Sequence, residues 1–187
     1  MAVDRTDSPT DVFMETYSGR KFHVLSPSPS DIDIHDIARG LAMQCRFGGH
    51  VHQFYSVAEH SVRVSQILPK SMALAGLLHD ASEAYIGDMI RPLKQTAELG
   101  NQYHLIEDRL MACIAAKFKF EWPLPQAVKE ADNILLFTEK RDIKKSKLIW
   151  MAEERFQPLA EPIVPWSPEF AEEQFLFEFG YLMGMQI

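Results

Sequence analysis

Only two of the 187 residues are cysteine, Cys45 and Cys113, too few for a disulfide scaffold or a four-thiolate zinc site. No stretch approaches about 18 uninterrupted apolar residues, the length a membrane-spanning helix requires. Basic residues are in deficit: 19 Lys and Arg stand against 26 Asp and Glu, a net charge of −7. A protein that grips a nucleic-acid backbone needs a basic face, so a polymer-binding role is disfavoured. A small phosphorylated ligand remains admissible, because it needs only one or two local cations. What the chain does have is a core: 47% hydrophobic and 24% charged residues are the proportions of a globular protein and exclude disorder of the whole. Residues 1–11 are polar and lack the apolar run of a secretory signal. The expectation is a flexible tail over 1–11, one domain over 12–187, a cytoplasmic location and reduced cysteines.

Hydrophobic spacing predicts mostly helices. Ser18-Gly19 separates two short apolar-aromatic runs within 12–25, the pattern of a small hairpin. Ile34, Ile37, Ala38 and Leu41 repeat at helical spacing, and 45–55, with its Gly-Gly pair, reads as a loop. Ser56 with Glu59 three residues on has the form of a capping box opening a helix that ends near Pro69. Further helices are expected over 71–85, 97–117, 126–142, 145–156 and 168–184, the last opened by Ser167-Pro168-Glu169. No strand-helix alternation suggests a parallel sheet. The fold class expected is all-α with a small N-terminal β-hairpin.

Three features carry chemistry. His79-Asp80 interrupts the apolar run ALAGLLHDASEAY, and a charged pair on a buried segment is costly unless a partner compensates it. A divalent metal is one such partner; a satisfied helix-end histidine is the plainer reading. Glu83 lies four residues after His79, so both are expected on one helix face, a ligand and a potential general base one turn apart. His60, in SVAEHSVRV, sits beside Val57 and Val64 and is expected to point inward, which alone suits a structural histidine. Asp132, in VKEADNILLF, alone suits a buried capping or salt-bridge carboxylate. Taken in order, His60, His79-Asp80 and Asp132 offer two imidazoles and two carboxylates, a set that satisfies a divalent ion and leaves coordination positions open.

That His…His-Asp…Asp order resembles the HD-domain metal-dependent phosphohydrolases. Cys45-Arg46-Phe47, the segment Phe54–Ser61, the segment Leu78–Tyr85 and Asp88 are similar to the 5′-deoxynucleotidase branch of that family, and the likeness covers roughly residues 14–145. The resemblance implies an HD-domain helical bundle. It implies that His60, His79, Asp80 and Asp132 hold one divalent metal ion (Mn, Co, Mg, Fe or Zn), with Glu83 orienting or deprotonating the attacking water. Arg46 would hold the phosphate as a fork-shaped donor, and Asp88 would contact the deoxyribose. Phe47 stands where a member of the branch has tryptophan; the flat apolar surface is kept and the indole N–H lost. Phe47, Asp88 and Ile86 are candidates for a wall that rejects a 2′-hydroxyl.

The function expected is therefore a hydrolase releasing phosphate from deoxyribonucleoside 5′-monophosphates by attack of a metal-activated water. The resemblance further implies a homodimer with a small nucleotide as its partner and no membrane association. The alternatives are a deoxynucleoside triphosphate triphosphohydrolase with the same metal site, for which Lys94 and Arg91 are the nearby cations, and a non-catalytic nucleotide-binding module. His50 and His52, beside Gly48-Gly49, are weaker phosphate contacts. A single histidine, His104, lies between Asp80 and Asp132, which disfavours a dinuclear site. The basic residues of 140–147 read as a solvated helix face, and Phe170, Phe175, Phe177, Phe179 and Tyr181 as core or a subunit contact.

Overall fold

The structure, a computed structural model, describes residues 12–185; the expected tail over 1–11 lies outside the described residues. The chain is all-α with one N-terminal hairpin. Strand β1 (Met14–Glu15) pairs antiparallel with β2 (Lys21–Phe22) around a turn in which Gly19 takes φ 77, a left-handed value glycine adopts freely. Eight helices follow among the described residues: α1 (Ile34–Ala42), α2 (Val57–Ile67), α3 (Lys70–Leu77), α4 (Glu83–Ile86), α5 (Arg91–Lys94), α6 (Gly100–Phe118), α7 (Gln126–Glu139) and α8 (Pro168–Leu182).

Side-chain caps start three of these helices, two of them, at Ser56 and Ser167, where the sequence suggests. Asp33 accepts from the His35 amide, Ser56 from Glu59 and Ser167 from Phe170, each satisfying a donor that the first turn leaves free. The Ser56 capping box forms in one direction only. The Glu59 carboxylate turns away, accepting from Arg63 and from the Trp166 amide that leads into α8. The hairpin docks on α1 through Asp36, whose carboxylate accepts from the Ser18 amide and hydroxyl. Phe22 is fully buried and stacks on Tyr85 with ring centroids 4.0 Å apart.

Helix α2 lies between two cores, and this positions the site. Val57, Ala58 and Val62 join the larger core with Ile37, Leu41, Leu77, Leu78, Ile114 and Phe175. Val64 joins a smaller one with Tyr55, Ala131, Leu135, Ile143 and Ile163. Helix α2 packs on α3, α8, α7 and α1, so almost every residue along it is buried. A histidine on such a helix cannot reach solvent.

Four expectations are corrected. The helix expected over 71–85 is two helices, α3 and α4, separated by tight turns at 78–82 in which Ala81 donates to the Leu78 carbonyl and Glu83 to that of Asp80. His79 and Glu83 therefore do not share a helix face. The segment expected to be helical over 145–156 is an irregular loop with one 3₁₀ turn, Glu153–Arg155; Ala152 adopts φ 66, which a helix does not admit. Helix α7 ends at Glu139 and loosens into a wide π turn at Lys140–Lys144. The 140–147 run is not uniformly solvated either: Lys140 is buried against Glu153, and Arg141 donates to the Leu159 and Glu161 carbonyls. On α8, Phe175 and Phe179 fill the core while Phe170, Phe177 and Tyr181 are exposed.

Candidate metal centre

The break between α3 and α4 is where the site begins. Gly76 passes so close to Leu68 that a Cβ would lie 2.4 Å from its Cδ1. One turn on, His79 Nδ1 lies 2.7 Å from the Gly76 carbonyl, the acceptor an unbroken helix would give to the Asp80 amide. Leu77, Leu78 and Ala81 are fully buried and anchor the turn, which leaves His79 and Asp80 on its other side, facing α2 and α7.

His60, from the middle of α2, meets them there. Its Nε2 lies 3.2 Å from His79 Nε2, 3.2 Å from Asp132 Oδ1 on α7 and 3.7 Å from Asp80 Oδ2; Asp80 Oδ2 lies 3.1 Å from His79 Nε2. One ligand atom each from His60, His79 and Asp132 falls within 4.8 Å of the others, a group able to hold a metal ion. The two histidine side chains are 0% and 7% exposed and the Asp80 and Asp132 side chains 23% and 25%, so the cluster opens on its carboxylate side.

The hydrogen bonds behind the cluster test whether a metal suits it. His60 Nδ1 lies 2.6 Å from Glu139 Oε1 and His79 Nδ1 2.7 Å from the Gly76 carbonyl. Each outer nitrogen donates to an oxygen, which leaves the inner Nε2 carrying a lone pair, the tautomer a metal ligand requires. Two such lone pairs 3.2 Å apart, with a carboxylate oxygen beside each, repel unless a cation or protons stand between them. The donor set therefore fits a divalent ion, and imidazole with carboxylate suits several. With protons in that place, burial opposes charge on His79, but Asp80 beside it overrides and pushes its pKa up to about 9. Asp80 correspondingly falls well below the usual carboxylate range: burial would raise it, and His79 pulls it down.

Glu139 is the residue that sequence reasoning misses. It is fully buried at the end of α7, accepting from His60 through Oε1 and from Arg46 Nη2 (3.0 Å) and Nε (3.3 Å) through Oε2. Burial alone would raise its pKa; Arg46 and His60 hold it below the ordinary value. A signal was present, because Glu139 stands two helical turns after Asp132, on the same face and among apolar neighbours. Gln44 is a second omission: its amide donates to the Glu83 and Gly40 carbonyls and accepts from the Asp88 amide, tying three segments together.

The remaining expected residues divide. Arg46 is buried beside the cluster, with Nη1 3.7 Å from Asp80 Oδ2, but its fork closes on Glu139, which leaves Nη1 as its end toward the cluster. Phe47 is half-buried at φ 57, between the Arg46 and Lys144 cations and 6.1 Å from the Trp150 ring. Asp88 is half-buried; burial raises its carboxyl, opposed by Arg46. Glu83 is buried, Oε1 accepting from Lys94 at 3.0 Å and Oε2 without a hydrogen-bond partner. Burial and then the Asp80 and Asp88 carboxylates hold its carboxyl well above the usual range, against the pull of Lys94. Lys94 is thus committed to Glu83 and Glu107 rather than open to a phosphate tail. His50 and His52 are exposed, and His104 is exposed and paired with Glu107. Ile86 packs on the main core. No helix among the described residues is long and apolar enough to cross a membrane.

No family model matches the chain. An Escherichia coli (strain K12) protein, uncharacterized protein YfdR, is 36% identical over 182 residues, which span 93% of this chain and 97% of that one. A Rhodobacter capsulatus protein, uncharacterized protein RCAP_rcc00048, is 40% identical over 139 residues, 67% of this chain and 70% of its own length. With that identity across nearly the whole of both sequences, the chain belongs to the family of YfdR.

Proposed function

We propose that this protein is a metal-dependent phosphohydrolase of the HD-domain type that releases phosphate from deoxyribonucleoside 5′-monophosphates. The observation that carries the reading is the inner face of the cluster: the Nε2 atoms of His60 and His79 and a carboxylate oxygen of Asp132 lie within 4.8 Å of one another, Asp80 Oδ2 stands 3.1 Å from His79 Nε2, and Glu83, three residues beyond Asp80, keeps one buried carboxylate oxygen without a partner. His60, His79, Asp80 and Asp132 would hold the ion. When bound, a divalent ion neutralises phosphate charge and lowers the pKa of water at the site.

The chain's own residues supply the rest. Arg46 turns Nη1 toward the cluster and accompanies a phosphate oxygen, its orientation held from behind by Glu139. Glu83 receives the proton of the attacking water on Oε2, and its raised pKa suits a group that takes a proton and later returns it. Water oxygen bonds to phosphorus, the P–O5′ bond breaks, and the departing alkoxide takes a proton to leave as the deoxynucleoside. Phe47, next to Arg46, and Asp88, five residues after Glu83, are the sugar contacts in this reading. A triphosphate is served less well, since Lys94 is already spent on two carboxylates.

Phosphate release across deoxy and ribo mono- and triphosphates, with Mn, Co, Mg and Zn supplied separately, tests the proposal. Inorganic phosphate from deoxymonophosphates, lost in His79→Ala, supports it. Triphosphate or pyrophosphate as the product moves the reaction to a triphosphohydrolase. Nucleotide binding with no turnover under any metal sinks the enzyme reading in favour of a binding module.

A further inference from the structure

Lys94 stands outside the candidate metal cluster, yet among the described residues it is the one cation in hydrogen-bond contact with Glu83. Its ammonium donates to Glu83 Oε1 at 3.0 Å and Glu107 Oε1 at 3.1 Å and lies 5.0 Å from the centre of the Tyr103 ring. An ammonium has three N–H donors; two meet carboxylates and the third side faces an aromatic ring. The backbone is fixed with equal care. Gly100 packs against the Lys94 carbonyl so closely that a Cβ would sit 2.0 Å from its oxygen, and Tyr103 Oη donates to the Gly87 carbonyl at 2.7 Å. Helix α6, which carries Glu107, Tyr103 and Gly100, thereby holds both ends of the 87–94 segment. Glu83, for its part, is 3% exposed, and Oε2 is buried with no partner.

We infer that Lys94 is a positioning residue: it holds Glu83 by one carboxylate oxygen, fixes the side-chain rotamer, and leaves the other oxygen without a partner. This rests on the phosphohydrolase reading for what the free oxygen accepts, and on the geometry alone for the tether. A glutamate has three side-chain torsions. Without the tether the carboxylate can turn, and a misplacement of about 1 Å costs on the order of 100-fold in rate. Because its donors are committed, Lys94 does not bind the phosphate, which separates the two roles by experiment.

The test uses Lys94→Met and Lys94→Arg in the full chain, with a double-mutant cycle against Glu83→Gln. Urea unfolding of the metal-free proteins should show Lys94 and Glu83 coupled by tenfold or more in the folding equilibrium. Turnover of Lys94→Met should fall 10- to 100-fold in kcat with KM within threefold, and Lys94→Arg should recover a large part of it. A coupling below twofold overturns the tether. A rise in KM with kcat unchanged overturns positioning and makes Lys94 a substrate contact. If the wild-type protein turns over no phosphate ester, the enzymatic reading fails and the positioning role falls with it, while the unfolding cycle still decides whether Lys94 holds Glu83.

Discussion

Glutamine at position 139 is the sharpest probe of how the centre is built. The native carboxylate offers an acceptor in both directions, Oε1 to His60 Nδ1 and Oε2 to Arg46 Nε and Nη2. Glu139→Gln keeps the shape but makes one end a donor. Arg46 cannot give up its charge, so its demand orients the amide oxygen toward the guanidinium. The amide NH2 then faces His60 Nδ1 and can be satisfied only if that nitrogen becomes an acceptor. The ring proton moves to Nε2, the atom turned toward His79 and Asp132, and His60 can no longer ligate. Losing an outer partner of this kind costs about 10- to 100-fold in metal affinity. Stability falls as well. The Arg46–Glu139 pair is 10% and 0% exposed, and breaking a buried ion pair costs about 3–5 kcal/mol. The amide oxygen still accepts from the charged guanidinium, a bond of about 1.5–3 kcal/mol, so a net loss of about 1–3 kcal/mol is expected. Calorimetric titration with Mn or Zn reads the first effect and urea unfolding of the metal-free protein the second. Wild-type metal affinity in this variant would refute the tautomer argument.

Two further outcomes follow from the same geometry. Glu139 has its folded pKa lowered from an ordinary value of 4.5, so its contribution is full above that value and lost as pH falls through the folded one; the stability gap between wild type and Glu139→Gln should begin to narrow as pH falls below about 4.5 in acid-dependent urea unfolding, and a gap constant to pH 3 would contradict the assignment. At the α1–α4 crossing, a Cβ on Gly40 would lie 2.9 Å from Ala84 Cβ and 3.1 Å from its backbone. Gly40→Ala should lose about 1–3 kcal/mol of stability by overpacking, and should depress phosphate release by displacing Glu83 next door; unchanged unfolding would show that α4 yields freely.

How far the sequence could be read depended on where the relevant force acts. Caps and apolar spacing are local, and the hairpin, α1, α2 and α8 follow from Gly19, Asp33, Ser56 and Ser167. The inward direction of His60 was legible from its valine neighbours. The break at 78–82 was not, because the apolar run continues through it. At the break the Gly76 carbonyl meets the His79 side chain instead of the Asp80 amide, an exchange that has no periodic signature. The distant partners of Glu59, Arg46 and Lys94 were equally out of reach: Glu59 accepts from the Trp166 amide, Arg46 pairs with Glu139 through two of its nitrogens, and Lys94, a candidate cation for a triphosphate, pairs with Glu83 and Glu107. Glu139 was hidden for the opposite reason. A carboxylate after Ile134, Leu135, Leu136, Phe137 and Thr138 looks like a helix end; its spacing from Asp132 hints at more, and its distant partners show what it holds.

Those partners are far away along the chain. His60 and Glu139 are 79 residues apart and Arg46 and Glu139 93, so the inner arrangement of His60 does not exist until the second half of the chain has docked on the first. Closing loops of that length is among the slower steps of folding. A partly folded chain holds its histidines with neither tautomer fixed and has little affinity for a divalent ion. For a cluster that could hold a metal ion, this makes capture a late checkpoint: the site is complete only when α7 has reached α2, and an ion bound there would favour the chains that finished.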